Sequence, residues 1–252
     1  MVIYMKSLKI MSFNLWCGGI TTDRTARVFS AISECDPDIL GVQEATPLWM
    51  QLLRTQFPAY TAIGFGREGG DKGEYSAIFV KSSRFDVLEE GTRWLTKTPE
   101  VFSYVEESLC PRVYTYAKLY DKENDRTLYH INTHLDHGVE NVRLLQAHYL
   151  DDFIKTLTLP VTVTGDFNCE EGTSPTYRFF TSGVIGDAKM LTGDADRKPT
   201  FHGFSDLKLI IDFCFVKRDA YTVERYRVID TLYDGAHPSD HNPVLVTVTP
   251  NA

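Results

Sequence analysis

The sequence predicts a layered α/β sandwich, and three observations support this fold class. The chain has 252 residues, of which 43% are hydrophobic, which suits one large domain core. Apolar segments typical of buried strands alternate with amphipathic helical segments, and strands then dominate. The chain contains no internal repeat, long linker or low-complexity run. We therefore expect a single domain over residues 1–252.

The chain begins with a predicted strand followed by a helix. The strand LKIMSFNLW is apolar on both faces and carries Asn14 near its end. The segment TARVFSAISEC has apolar residues at helical spacing, with Asp23 or Thr25 as the expected N-cap. The Asp-Pro-Asp sequence that follows is expected to end this helix.

A short strand, a second helix and a pair of strands follow. The strand ILGVQE ends on Glu44. The helix TPLWMQLLRTQF begins with Thr46 as the N-cap and Pro47 at its first position. EYSAIFVKSSRFDVLEEGTRWL is expected to form a hairpin around the turn Lys-Ser-Ser-Arg.

The second half adds another hairpin, a helix and further strands. The hairpin VYTYAKLYDKENDRTLYHINTH ends on His134, and PVTVTGDFN is a strand that ends on Asp166 and Asn168. LKLIIDFCFV and PVLVTVT are later strands, with the loop PSDHN before the last one. The helix ENVRLLQAHYLDDFI places four apolar side chains on one face: Val142, Leu145, Tyr149 and Phe153.

Polar side chains recur where these strands end. A lone aspartate is disfavoured in a strand and costly to bury, so several such ends suggest one shared site. The residues concerned are Asn14, Glu44, His134, Asp166 and Asn168, together with Asp240 and His241 in the loop that enters the last strand.

The donor atoms in this set favour a hard divalent cation. Asp166 and Asn168 are two positions apart in extended chain, so their side chains point the same way. Glu44, Asp240 and Asn14 add further oxygen donors, and no cysteine joins them. This composition suits Mg²⁺ or Mn²⁺, and magnesium commonly bridges to a substrate phosphate.

One further pair of residues suggests catalysis, and a single arginine suggests phosphate binding. Asp212 lies in an apolar strand, and His241 paired with it would resemble a base and its orienting acid. Arg112, in CPRVY, is a candidate for a forked contact with phosphate.

Each of these residues also has an ordinary structural explanation. Glu44 and Asp166 could be helix caps, and the histidines could be polar core residues. Asp212 could pair with Lys208 or Arg218. Their joint occurrence at strand ends is what favours a site.

Charge and aromatic residues bear on the substrate. The formal net charge is −8 without a block of like charges, which disfavours a long polyanion and favours a small substrate. Trp94 and Tyr104 lie in the long segment from Arg93 to Arg112 and could stack on a base or sugar, although they could equally pack against the core.

The cysteines and the N-terminus bear on the compartment. The five cysteines are scattered without a CxxC pair, which suggests reduced thiols. The first residues contain no apolar region of the kind a signal peptide needs, and no stretch is long and apolar enough to span a membrane. We expect a cytoplasmic monomer; a leader removed ahead of residue 1 is the alternative.

The motifs SFNLW, GVQE, EYSAIFV, INTHLDH, TGDFN, IDFCFV and PSDHNP occur in the order seen in the endonuclease/exonuclease/phosphatase superfamily. The chain resembles compact bacterial members of these metal-dependent, DNase-I-like hydrolases from Leu8 to Thr249. The resemblance implies a four-layer α/β sandwich, in which two packed, mainly antiparallel sheets are flanked by helices.

The resemblance also implies roles for individual residues. Glu44 matches the principal metal ligand, and Asn14 and Asp240 match further residues of the metal site. Asp166 matches the aspartate that orients or activates the attacking water. The remaining matches are the catalytic His241 with its partner Asp212, the phosphate contacts Asn168 and His134, and Arg112 and Glu74 beside the substrate phosphate.

The function expected from these matches is Mg²⁺- or Mn²⁺-dependent hydrolysis of a phosphate ester, as a phosphodiesterase or phosphomonoesterase. The expected substrate is a small ester or a short single-stranded nucleic acid. One alternative is a nuclease acting on DNA or RNA. The other is a non-catalytic binding module, which the presence of Glu44, Asp166 and His241 disfavours.

Overall fold

The structure, a computed structural model, describes residues 5–251 and consists of two six-stranded sheets with helices packed on their outer faces. In chain order, the elements are β1 (Leu8–Asn14), α1 (Thr22–Cys35), β2 (Ile39–Ala45), α2 (Pro47–Gln56), β3 (Tyr60–Ile63), β4 (Tyr75–Lys81), β5 (Phe85–Trp94), β6 (Val113–Asp121), β7 (Arg126–His134), α3 (Glu140–Thr156), β8 (Val161–Asp166), α4 (Pro175–Ser182), β9 (Ile185–Asp187), α5 (Ala188–Leu191), β10 (Asp212–Lys217), β11 (Tyr221–Val228) and β12 (Val244–Pro250).

The two sheets are mixed. One has the strand order β11-β12-β1-β2-β4-β3 and the other has the order β5-β6-β7-β8-β10-β9. The pairs β1–β2 and β7–β8 are parallel, and the remaining pairs are antiparallel. This arrangement confirms the predicted four-layer sandwich of two mainly antiparallel sheets between helices.

Both early helices begin at threonine caps. The Thr21 side chain accepts a hydrogen bond from the Arg24 amide, so the N-cap of α1 is Thr21 and neither Asp23 nor Thr25. The Asp-Pro-Asp sequence ends α1 as predicted, because Asp36 adopts a left-handed conformation after the last turn. Thr46 caps α2 and Pro47 occupies its first position, as predicted.

The predicted hairpin around Lys-Ser-Ser-Arg does not form. β4 pairs with β2 and β3, whereas β5 pairs with β6 in the other sheet. Arg84, at the turn between them, is buried and donates to Asp38 at 3.0 Å and to both Asp121 oxygens at 3.1 Å. Asp38 directly precedes β2 of one sheet and Asp121 ends β6 of the other, so Arg84 ties the two sheets together where the chain passes between them.

The buried face of α3 differs from the predicted face. Val142 is buried, but Leu145 is 39% exposed, and Tyr149 and Phe153 are half-buried. The side chains that face the sheet are Val142, Gln146, Ala147, Leu150, Asp151 and Ile154. A glutamine and an aspartate in the buried face explain why apolar spacing alone misplaced it.

The sheets approach closely beside the polar strand ends. A Cβ added at Gly41 of β2 would lie 2.2 Å from Thr164 Oγ1 of β8, so only glycine fits there. Asn132 of β7 donates to the Val42 and Ala77 carbonyls of the opposite sheet, each at 2.9 Å, and accepts from Gln43. These buried contacts hold the ends of β1 and β2 against those of β7 and β8.

None of the helices in residues 5–251 combines the length and the apolar character needed to cross a membrane.

Candidate metal centre and active site

The register of the second sheet sets three site residues side by side. His134 of β7 pairs with Asp166 of β8, and Asp166 pairs with Asp212 of β10. β10 begins at Asp212, so this aspartate lies at a strand end and not within the strand as the sequence suggested. The three residues form a row at the ends of their strands, beside Asn14 and Glu44 of the first sheet.

Asn14 joins the acids of the two sheets. Its side-chain nitrogen donates to Glu44 Oε1 at 3.2 Å and to Asp166 Oδ2 at 2.9 Å, and its oxygen accepts from the Trp16 amide. We predicted Asn14 as a metal ligand, but in this arrangement its amide orients the two carboxylates because its oxygen is turned towards the backbone.

Glu44 is held as a carboxylate in a strained position. Its backbone has a positive φ of 54°, which is uncommon for a residue with a side chain. Burial opposes its ionisation, but hydrogen bonds from the Cys17 amide and from Asn14 outweigh burial and lower its pKa. Glu44 therefore presents a negative charge at the site.

Asp166 is a buried acid next to a second acid, Asp212. It is buried, its Oδ1 accepts from the Asn168 amide at 2.9 Å, and its Oδ2 lies 3.4 Å from His134 Nε2. Burial and the nearby charge of Asp212 raise the pKa of Asp166 to about 7. The neighbouring carboxyl groups of Asp166 and Asp212, together with Glu44, concentrate acidic groups at a place where a cation would stabilise them.

The donor atoms fit one divalent cation. Glu44, His134 and Asp166 each offer a ligand atom, and these atoms lie within 4.8 Å of one another. The two carboxylates suit Mg²⁺ or Mn²⁺, whereas an imidazole is a more usual ligand of zinc and similar metals. Asp240 belongs to no such group among residues 5–251. Burial raises the pKa of Asp240, and the charge of the nearby Glu44 raises it further.

His241 is paired with Asp212 as predicted. Its Nδ1 donates to Asp212 Oδ2 at 2.9 Å, and its Nε2 lies 3.7 Å from Asp166 Oδ2. Burial disfavours a charged ring, but Asp212, Asp166 and Asp240 outweigh burial and raise the pKa of His241 to about 10. At neutral pH the ring is an imidazolium that can donate from Nε2.

His134 has the opposite character. Burial, followed by the charges of Arg112 and Arg67, holds its pKa well below 6.5, so the ring is neutral. Its Nε2 accepts from Asn168 Nδ2 at 3.0 Å, and Asn168 also donates to the Leu135 carbonyl. The two histidines therefore differ in charge: burial and two arginines keep His134 neutral, whereas three acids outweigh burial at His241.

Two arginines lie on the His134 side. Arg112 is 4% exposed, and its Nε has no hydrogen-bond partner. It lines a small cavity with Arg67, Ser76 and His134. A buried guanidinium with an unsatisfied donor suits a phosphate oxygen.

Glu74 lies in the same cavity, but it holds an arginine. Both of its oxygens accept from Arg67, at 2.7 and 3.0 Å. Burial and the nearby charge of Glu44 raise the pKa of Glu74, and the opposing effect of Arg67 does not cancel them. The structure places Glu74 as the partner of Arg67, and its predicted place beside the substrate phosphate stays a prediction.

The aromatic residues predicted to stack on substrate lie elsewhere. Trp94 is 7% exposed, donates from its indole to the Arg67 carbonyl at 2.8 Å and packs against Phe65 and Phe102. Its ring therefore has no open face for a base. Trp94 packs against the core instead, which is the alternative that the sequence left open. Tyr104 is 59% exposed and lines a separate open cleft of about 430 Å³ beside α3.

Arg24 was missed by the sequence reasoning, although it organises the loops around the site. Its buried guanidinium donates to the carbonyls of two loops and lies about 5 Å from the rings of Trp16 and Trp49. The acceptors are the carbonyls of Leu15, Trp16, Gly18, Gly19 and Pro238. Arg67 and His137 were missed as well, because a polar residue in a loop gives no periodic signal.

Two packed mixed sheets between helices, with acids and histidines gathered at their strand ends, define the DNase-I-like class of α/β sandwiches. The model of the Endonuclease/Exonuclease/phosphatase family matches residues 11–241, and the chain belongs to this family.

Solved structures agree with this assignment. An endonuclease/exonuclease/phosphatase family protein from Bacteroides thetaiotaomicron is 30% identical, with a TM-score of 0.91 over 99% of this chain and 100% of that one. A mannosyl-6-phosphatase from the same species is 29% identical, with a TM-score of 0.87 over 97% and 100%. The human Nocturnin catalytic domain, with bound sulfate, shares the fold at 21% identity and a TM-score of 0.77 over 97% and 94%. No curated protein sequence matches the chain.

Proposed function

We propose that the protein hydrolyses phosphate esters of small molecules with the help of Mg²⁺ or Mn²⁺. One observation carries this proposal: acids from both sheets and a neutral histidine meet within 4.8 Å, beside a buried arginine with an unsatisfied donor. The first group suits a cation and the second suits a phosphate, so the two halves of a metal-phosphate complex have adjacent places.

Each side chain near the reacting phosphate has a separate task. Arg112 donates to phosphoryl oxygens, and Asn168 orients the neutral His134 beside them. Asp166 holds the attacking water and accepts its proton as the water oxygen bonds to phosphorus and the ester oxygen leaves. The imidazolium of His241 donates from Nε2 to the oxygen on which charge develops, while Asp212 keeps the ring in place.

The metal would be held by Glu44, with Asp166 and His134 close enough to share it and Asp240 nearby. When bound, it supplies positive charge against the phosphoryl oxygens. The fit is supported by the negative charge of the site: His241 is already paired with Asp212, and Glu44 accepts from the uncharged Asn14 side chain and the Cys17 backbone amide.

A small substrate is favoured over long duplex DNA. The net charge of −8 opposes association with a long polyanion. The relative at 29% identity is named as a mannosyl-6-phosphatase, which supports a small phosphate ester as the substrate.

A substrate panel tests this proposal. Sugar phosphates, mononucleotides, inositol phosphates, phospholipid head groups, short oligonucleotides and plasmid would be incubated with Mg²⁺ at low salt, where duplex binding is strongest. We expect turnover of small esters and little nicking of plasmid. The Asp166→Asn variant, purified in the same way, controls for contaminating phosphatases. Rapid plasmid nicking without small-ester hydrolysis would contradict the proposal.

A further inference from the structure

The turn after His134 has no task in the proposed reaction, although it belongs to the motif INTHLDH. Asp136 of this turn is fully buried. Its Oδ2 accepts from the Ser108 hydroxyl and the Leu109 amide, each at 2.9 Å. Its Oδ1 accepts from the Gly138 amide at 2.8 Å. Asp136 therefore fastens the long segment 95–112 to the turn that follows β7.

This connection brings His137 against Arg112. Arg112 Nη2 lies 3.0 Å from His137 Nδ1. A guanidinium has donors only, so Nδ1 is the acceptor and a neutral His137 carries its proton on Nε2. His137 itself is exposed, so it is not held there by burial in the core.

Arg112 needs such a support if it is to bind an anion selectively. Its Nε has no partner, and the guanidinium borders the cavity that His134 also lines. An arginine recognises phosphate through a planar fork, and the orientation of that plane decides which donors reach the anion. A single fixed acceptor at Nη2 sets the plane and leaves the other donors for the ligand.

We propose that His137 is a positioning residue for phosphate, which acts by fixing the guanidinium plane of Arg112. The inference rests on the proposed function, because it concerns how the same site holds its substrate phosphate. It assigns a task to His137, the last residue of the INTHLDH motif, whose ring nitrogen Nδ1 lies against Arg112.

Three variants test the inference. His137→Ala removes the acceptor, and His137→Asn places an amide oxygen where Nδ1 lies. His148→Ala is the matched control, because His148 is an exposed histidine on α3 that packs against Phe179. Binding of inorganic phosphate in the presence of Mg²⁺ would be measured by calorimetry, and KM and kcat would be measured on a small ester identified in the panel.

We expect His137→Ala to raise both the phosphate Kd and KM by about three- to tenfold, the order of one typical net hydrogen bond, because the lost contact acts on the anion only through Arg112. The kcat should change less than KM, because the contact is made before and during the reaction. His137→Asn should recover most of the lost affinity, and His148→Ala should not alter it. A merely structural role of His137 would not produce this rescue.

Arg112→Ala separates failure of this inference from failure of the proposed function. If Arg112→Ala weakens phosphate binding while His137→Ala does not, the positioning role is wrong and the proposed function stands. The positioning role is also overturned if His137→Asn is as impaired as His137→Ala. If neither Arg112→Ala nor His137→Ala alters phosphate binding, the inference falls together with the phosphate contact in the proposed function.

Discussion

Replacement of His241 by asparagine is expected to lower kcat by about 10²–10⁴-fold, the usual cost of removing an acid–base or oxyanion-stabilising group. Asparagine can still donate to Asp212 from the position of Nδ1, but it has no donor at the position of Nε2. His241→Ala should be equally inactive. It should also be less stable, because it leaves the buried Asp212 without its partner.

The comparison of the two His241 variants controls for folding. Thermal unfolding should show His241→Asn near the wild-type Tm and His241→Ala below it. A folded His241→Asn protein with a near wild-type kcat would show that the imidazolium serves only to satisfy Asp212.

Replacement of Glu44 by glutamine is expected to weaken Mn²⁺ binding by about 100-fold or more, since even outer partners of metal ligands typically contribute 10–100-fold. Glutamine keeps the size of the side chain and removes the charge that faces the cation. Calorimetric titration with Mn²⁺ gives the affinity without depending on turnover.

Glu74→Gln is the matched control for Glu44→Gln. Glu74 is a half-buried acid close enough for Glu44 to raise its pKa, but both of its oxygens are engaged by Arg67. We expect its replacement to change Mn²⁺ affinity much less. Equal weakening by both variants would show that general negative charge, and not ligation by Glu44, determines metal binding.

The parts of the fold that local chemistry determines could be predicted from the sequence. Thr46 and Pro47 mark the start of α2 because cap and first-turn preferences act within one turn. The hairpin of β6 and β7 was also predicted, because the two strands are consecutive and joined by a short turn. The placement of β4 and β5 in different sheets was missed because it depends on Arg84 pairing with acids far away in the chain.

The site shows the same division. Asp166 and Asn168 could be proposed because a buried strand that ends on polar groups needs partners, and His241 because it could pair with Asp212. The structure supplies these partners. The use of Asn14 as an orienting donor, of Glu74 as the partner of Arg67 and of Trp94 as a buried support could not be predicted. Each depends on which groups approach from other elements, and side-chain type alone does not reveal that.

The central claim is that this cluster hydrolyses phosphate esters with a divalent cation, and removal of the cation tests it most directly. Phosphate release from a small ester identified in the panel would be followed in Mg²⁺, after excess EDTA, and after Mg²⁺ or Mn²⁺ is restored. The account predicts that activity is lost in EDTA and returns with the added ion. Unchanged turnover in excess chelator would contradict it.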